Sequence, residues 1–321
     1  MSVYTAIDTD ELNAFLSHYD VGELVSFEGI SAGIENTNYF VTTQKNGQQN
    51  QYVLTIFEAL GFDELPYFLD LMAHFNEHAV PSAHPIANEQ GKYLLTLKDK
   101  PAALVQRLSG KSVESPTPVH CAALGAAMGH YHVVSQSFTP TRENRRGPHW
   151  WHITSTAVMP HLSVEQQTLL TTELAEQDAH QHDELPRGVI HADLFRDNAL
   201  CEGDRLTGII DFYYACNDVL LYDVAVAMND WCVNDDGSLD EARSVAFLRS
   251  YQDQRTLNDA ETASWPLMMR AAALRFWLSR LHDTHFPREG ELTHIKDPQV
   301  FQRILEQRRA SADKLIELLQ K

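Results

Sequence analysis

Apolar and polar residues alternate with a period of two in several short runs near the start of the chain, and give way to a helical period further on. The runs "ELVSFEGI" (23–30), "NYFVTT" (38–43) and "QYVLTIF" (51–57) read as strands, the last two joined around Asn46-Gly47, a strong hairpin signal. "KYLLTL" (92–97) and "AALVQRL" (102–108), separated by Lys-Asp-Lys, predict two more. Phe62, Leu65, Phe68, Leu69, Met72 and Phe75 recur at helical spacing and predict a helix over 62–78. A shorter helix is expected from Asp8, with Glu11 three residues on and Leu12, Phe15 and Leu16 on one face. The first third is therefore expected to be a mostly antiparallel sheet of about five strands with one inserted helix.

Beyond the connector "SGKSVESPTP" (109–118) the pattern changes to long helices, expected over 118–137, 163–181, 239–253, 261–282 and 298–319. Set among them is "GVIHADLFRDNALC" (188–201), which opens apolar and turns abruptly polar, followed by an apolar strand, "LTGIIDF" (206–212). The fold class predicted is α+β: a β-rich N-terminal lobe over 1–105, a hinge at 106–110 and a mostly helical C-terminal lobe over 111–321.

Composition narrows the partners. Forty-four acidic against twenty-five basic residues give a formal charge of −19, a field that repels nucleic acid and anionic membrane, so neither is an expected partner. The N-terminus has neither a basic start nor an apolar segment, and no run approaches the ~20 apolar residues of a membrane span. Cys121, Cys201, Cys216 and Cys232 show no paired spacing and read as reduced thiols, so a cytoplasmic location is expected. A homodimer is an arrangement that the sequence leaves open.

The chemistry is concentrated in H-x-D-L-x-x-x-N, made by His191, Asp193, Leu194 and Asn198, and in Asp211, thirteen residues after Asn198 at the end of "GIID". Any one of these carboxylates alone reads as a turn residue or a helix cap. Together their spacing is that of a kinase catalytic loop and its metal-binding aspartate. Phosphoryl transfer needs a base on the attacking hydroxyl and hard oxygen ligands for Mg²⁺, which assigns Asp193 to the first task and Asn198 and Asp211 to the second. Protein-kinase features are missing: Phe195 stands where a lysine is usual, Tyr213 where Asp-Phe would be followed by Gly, and no A-P-E segment follows.

These stretches resemble the aminoglycoside-phosphotransferase-like (choline-kinase-like) family of small-molecule kinases. Within it, "YDVGEL", "GIENTNYFV", "KPAALVQRLSG", "GIIDFYYACNDVLLYDVA" and "ALRFWLSRL" are most similar to the bacterial homoserine kinases. The resemblance covers residues from about 3 to 310 and implies a bilobal protein-kinase-like fold, ATP and Mg²⁺, and a small amino-acid substrate. It implies that "SAGIENTNYFV" (31–41) covers the ATP phosphates through Gly33, Asn36 and Asn38, and that backbone groups of Gln106, Arg107 and Leu108 pair with adenine. It also makes Asp223 a scaffold carboxylate and His132 a structural histidine. One departure stands out: Thr55 occupies the usual position of the phosphate-binding lysine, leaving Lys45, Lys92, Arg107 or the metal to supply the charge.

A free amino acid needs a cation for its carboxylate and an anion or aromatic for its ammonium. Arg275 or Arg280 are expected to supply the first, and Tyr213, Tyr214, Asp218 or Asp230 the second. Homoserine is the substrate that the resemblance implies. A kinase of the same fold for choline, methylthioribose or an aminoglycoside, and a catalytically weak nucleotide-binding module, are the alternatives that the residues leave standing.

Overall fold

A computed structural model describes residues 4–30, 36–180, 184–287 and 296–321. The chain forms two compact units, one of Met1–Gly110 with Thr207–Ile210, the other of Lys111–Leu206 with Asp211–Lys321.

The first unit begins with α1 (Thr9–Leu16), whose N-terminus is closed by reciprocal hydrogen bonds between Asp8 and Glu11. β1 (Glu23–Gly29), β2 (Asn36–Lys45), β3 (Gln48–Phe57), β4 (Leu94–Leu97) and β5 (Lys100–Gln106) make one antiparallel sheet in the order β1-β2-β3-β5-β4. Asn46 turns the β2–β3 hairpin at φ 53°, and Lys98 and Asp99 turn the β4–β5 hairpin at φ 52° and 60°. Leu12, Phe15 and Leu16 of α1 pack on Tyr39, Val41, Leu54, Ile56, Ala102 and Leu104, so odd positions of β2 face this core. Asn36, Asn38 and Phe40 consequently lie on the opposite face of the sheet. α2 (Leu65–Glu77) starts three residues later than its apolar pattern suggests. Pro66 sits in its first turn, where no amide is needed, and Phe62 is left outside the helix at 44% exposure.

The second unit contains α3 (Pro118–Val134), α4 (Pro148–Val158), α5 (Val164–Asp178), β6 (Arg187–Ile190), β7 (Ala199–Glu202), β8 (Arg205–Ile209), β9 (Cys216–Val219), α6 (Leu220–Trp231), α7 (Glu241–Gln252), α8 (Asp259–His285), α9 (Pro298–Ala310) and α10 (Ala312–Leu319); the last residues of β8 group with the first unit. Two short sheets organise it: β6 pairs antiparallel with β9, and β7 pairs with β8. The single helix expected over 298–319 is two helices, because Ser311 leaves helical geometry at φ −128°, ψ 30°. α3 and α7 pack unusually close. A Cβ on Gly125 would stand 2.3 Å from the Phe247 carbonyl oxygen, and one on Gly129 would stand 2.7 Å from that of Tyr251. All four cysteines are buried and unbridged, and no described helix is long and apolar enough to cross a membrane.

Candidate active site

The loop that follows β6 is pinned from behind. Asp223, one turn into α6 and fully buried, accepts the backbone N–H of His191 through Oδ2 at 2.9 Å and that of Ala192 through Oδ1 at 2.8 Å. The Tyr131 hydroxyl and Nε2 of His132 also bond its Oδ2. Burial opposes ionisation, but these donors outweigh it and hold the Asp223 carboxyl below the usual carboxylate range. Ala192 adopts φ 64°, a left-handed conformation that costs a residue with a Cβ about 1 kcal/mol or more. Two hydrogen bonds to a buried carboxylate, one of them from Ala192 itself, can hold it there.

Asp193 emerges from this kink partly exposed. Nδ2 of Asn198 donates to the Asp193 carbonyl at 2.8 Å and to its Oδ2 at 3.3 Å, closing the five-residue loop on itself. These bonds use the nitrogen end of the Asn198 amide and leave its oxygen end pointed elsewhere. β7 begins directly after Asn198, and β8 ends two residues before Asp211, so one hairpin carries both residues at the same end. Asp211 is exposed, sits at φ 63°, ψ 54°, and makes no helix-cap hydrogen bond. An amide oxygen and a carboxylate are hard donors that suit Mg²⁺ or Ca²⁺ better than a soft metal.

Of the two candidate arginines, only Arg275 lies within ion-pair distance of Asp193. Its Nη1 lies 3.6 Å from Oδ1 of Asp193; the side chain is 5% exposed and stacks 3.8 Å over Phe276, with Tyr214 at 5.6 Å. Arg280 donates to the Asp297 carbonyl at 2.9 Å and lies 4.5 Å over Phe301. Burial lowers its guanidinium pKa, partly offset by the field of Asp230, Asp297, Asp197 and Asp193. Among the described residues no carboxylate lies within ion-pair distance of Arg280, so its charge is the less committed of the two.

Two of the expected anions are already engaged. Asp230 accepts the Arg196 backbone N–H at 2.8 Å and its guanidinium at 3.1 and 3.3 Å, which makes it a clamp on the loop after β6 rather than an anion open to an ammonium group. Asp218 accepts from Arg187, Asn144 and the Val219 amide. Tyr213 is half-buried in the turn after Asp211, where its neighbour Tyr214 is the ring near Arg275. The sequence reading missed the Arg196–Asp230 pair. It also missed the indole N–H of Trp231 on the Leu194 carbonyl at 3.2 Å, although both partners lie in the "NDW" that ends α6.

In the first unit, Gly33 lies outside the described residues. Oδ1 of Asn38 accepts from Thr55 Oγ1 at 2.8 Å, and Oδ1 of Asn36 accepts the Glu58 amide at 3.4 Å. The hinge expectation narrows. The N–H of Gln106 is spent on the His84 carbonyl and that of Arg107 on the Gln51 carbonyl, whereas no hydrogen bond from a described residue engages the amide of Leu108. Lys45 pairs with Asp20 at 2.5 Å from the core-facing side of β2, and Lys100 pairs with Glu58 on the same side. The Arg107 guanidinium instead lies 3.9 Å over Phe40, on the face that carries Asn38 and Thr55.

Residues 26–258 match the phosphotransferase enzyme family. The chain is 49% identical over 316 residues to the homoserine kinase of Methylobacillus flagellatus, with 98% of each chain covered. It is 44% identical over 305 residues to that of Neisseria meningitidis serogroup B, covering 95% of this chain and 99% of the relative. Among solved structures, amicoumacin kinase hAmiN in complex with AMP-PNP, Ca²⁺ and Ami superposes with a TM-score of 0.69 at 16% identity, covering 96% of this chain and 94% of that one. Choline kinase from Cryptosporidium parvum gives 0.67 at 13% identity, over 98% and 99%.

Proposed function

The chain belongs to the phosphotransferase enzyme family, and from that membership we propose that it is an ATP-dependent kinase that phosphorylates the hydroxyl of L-homoserine, giving O-phospho-L-homoserine for threonine synthesis. The observation that carries this reading is end-to-end similarity: 49% identity to a homoserine kinase over 98% of both chains, with Asp193, Asn198 and Asp211 all present.

Asp193 accepts the proton of the γ-hydroxyl as that oxygen attacks the terminal phosphorus of ATP. The bond to the bridging oxygen breaks and ADP leaves. The Asn198 bonds fix the rotamer of Asp193, and Arg275 Nη1 lies 3.6 Å from its Oδ1 at the edge of the loop. Asn198 and Asp211 hold Mg²⁺, which when bound neutralises charge on the phosphate oxygens. Arg280 pairs with the carboxylate of homoserine, because Arg275 is already committed to Asp193 and the charge of Arg280 is not. Asn36, Asn38 and the Leu108 amide contact the nucleotide. Arg107 supplies the cation that Thr55 cannot, since it shares the Thr55 face of the sheet.

A coupled assay of ADP release with L-homoserine, homoserinol, choline and methylthioribose tests the reading. L-Homoserine is expected to have the highest kcat/KM and homoserinol, which lacks the carboxylate, a much lower one. A preference for choline overturns the substrate; equal kcat/KM for homoserinol and homoserine overturns the arginine–carboxylate pairing.

A further inference from the structure

Behind Asp223 a chain of hydrogen bonds continues away from the loop. Nε2 of His132 lies 3.2 Å from Oδ2 of Asp223, and its Nδ1 lies 2.8 Å from the hydroxyl of Tyr251 on α7. Nη1 of Arg255 donates to that hydroxyl at 2.9 Å, and its Nη2 donates to Oε1 of Glu261 at 2.7 Å. Glu261 is itself fixed, because its other oxygen accepts the Asn258 amide at 3.0 Å at the start of α8.

The direction of every proton in this chain is forced. An ionised carboxylate can only accept and a guanidinium can only donate, so the two ends fix the middle. Nε2 of His132 must carry the proton given to Asp223, which leaves Nδ1 as an acceptor. Tyr251 meets that need with its single O–H, and it cannot turn the proton toward Arg255, which has no lone pair to receive it. Burial keeps His132 in the neutral form that this scheme requires and also raises the Tyr251 phenol. The groups facing the imidazole are Asp223, Tyr131, Tyr251 and, through Tyr251, Arg255.

We propose that Tyr251, oriented by Arg255, is a positioning residue that locks the tautomer of His132 and thereby holds Asp223 square to the amides of His191 and Ala192. Were the tautomer reversed, the Nε2 lone pair would face the carboxylate. The repulsion would push Asp223 off the two amides that keep Ala192 in its left-handed conformation, and Asp193 is the next residue. The close packing at Gly125 and Gly129 brings Tyr251 within reach of α3. The proposal rests on Asp193 being the base.

Histidine ¹⁵N NMR of the wild-type enzyme tests the lock directly. His132 is expected as a neutral imidazole protonated at Nε2; protonation at Nδ1, or an imidazolium, overturns the proposal whatever the variants do. Tyr251→Phe is expected to lower kcat about tenfold while KM for ATP and homoserine stays within about twofold, with both tautomers of His132 now visible. Unchanged kcat overturns the positioning role, as does a raised KM at constant kcat. If Tyr251→Phe does not fold, the double variant Arg255→Met/Glu261→Met serves instead. It removes both partners of a buried pair, retains the hydroxyl and frees its rotation, and is expected to give a smaller loss of kcat with the same mixed tautomers. A single wild-type tautomer in that variant overturns the role of Arg255. Asp193→Asn separates the two levels: wild-type turnover there would overturn the base assignment and leave the His132 tautomer standing.

Discussion

The five-stranded sheet and the loop after β6 both hold side-chain oxygens in fixed places, and they do so by opposite means. In the sheet the backbone ladder satisfies the main chain first. Thr55 and Asn38 then bond each other across paired positions of β3 and β2 that would exist without them. In the loop the order is reversed: the backbone amides of His191 and Ala192 are held by one side chain, and that side chain by two further residues, Tyr131 and His132. Function on the sheet can therefore tolerate substitution that function on the loop cannot.

The largest effect that would break this contrast is expected at Asp223. Asp223→Ala leaves two backbone amides, a phenol and an imidazole without their buried acceptor, and should cost on the order of 3–5 kcal/mol in a urea melt and abolish turnover. A loss below about 1 kcal/mol would show that the loop does not depend on its anchor. The pH dependence has a defined sign. Asp223 is held below its unfolded-state value of ~3.9, so its contribution is complete above that pH and is lost as pH falls through the folded value, an acid limb that Asp223→Asn should reduce.

Next in size is Asp193→Asn, expected to lower kcat about a hundredfold with KM for ATP nearly unchanged, the lower part of the general-base range because a dissociative transition state asks little of the base. Wild-type turnover would remove Asp193 from the chemistry. Arg280→Met should raise KM for homoserine about tenfold, the worth of one charge-assisted pair, and leave KM for ATP in place. An equal rise in both would show that Arg280 is structural. The smallest effect is expected at Thr55→Val, about 1 kcal/mol or less in the melt with kcat retained. A loss there as large as that at Asp223 would erase the difference between sheet and loop.

The same contrast explains what could be read in advance. α1, α5 and α7 bury one face and expose the other, and β2 alternates buried with half-buried positions, so their period shows in the sequence. α6 does not: eleven of its twelve residues are buried, so "LLYDVAVAMNDW" has no polar stripe to mark it as a helix. β9 is only four residues long, and its pairing with β6 is a long-range event that no local pattern encodes. β2 and β3 run past their apolar stretches because Thr42–Gln51 through Lys45–Gln48 are polar pairs joined by the backbone ladder, which no apolar pattern marks. At the site, Asp193, Asn198 and Asp211 stood out because their spacing is short and chemical. The commitments of Asp230 to Arg196 and of the Gln106 and Arg107 amides to the His84 and Gln51 carbonyls were hidden, since both depend on partners distant in sequence. Arg275 and Arg280 look alike in "ALRFWLSRL", and only the fold separates the one beside Asp193 from the one beside Phe301.

The two glycines of α3 carry a practical consequence for anyone engineering this enzyme. Glycine inside a helix is the standard target for stabilisation, because replacement by alanine ordinarily gains about 1 kcal/mol of helix propensity. Here the missing methyl groups act as a spacing gauge between two helices, and filling either would wedge α7 away from α3 by the width of the clash with a carbonyl oxygen. A library scored on thermal tolerance alone would therefore contain variants whose isolated helices are better formed while Tyr251 stands out of register with His132. Screens of this protein should read turnover alongside melting temperature at these two positions, where an ordinarily safe substitution is expected to act as a defect in alignment.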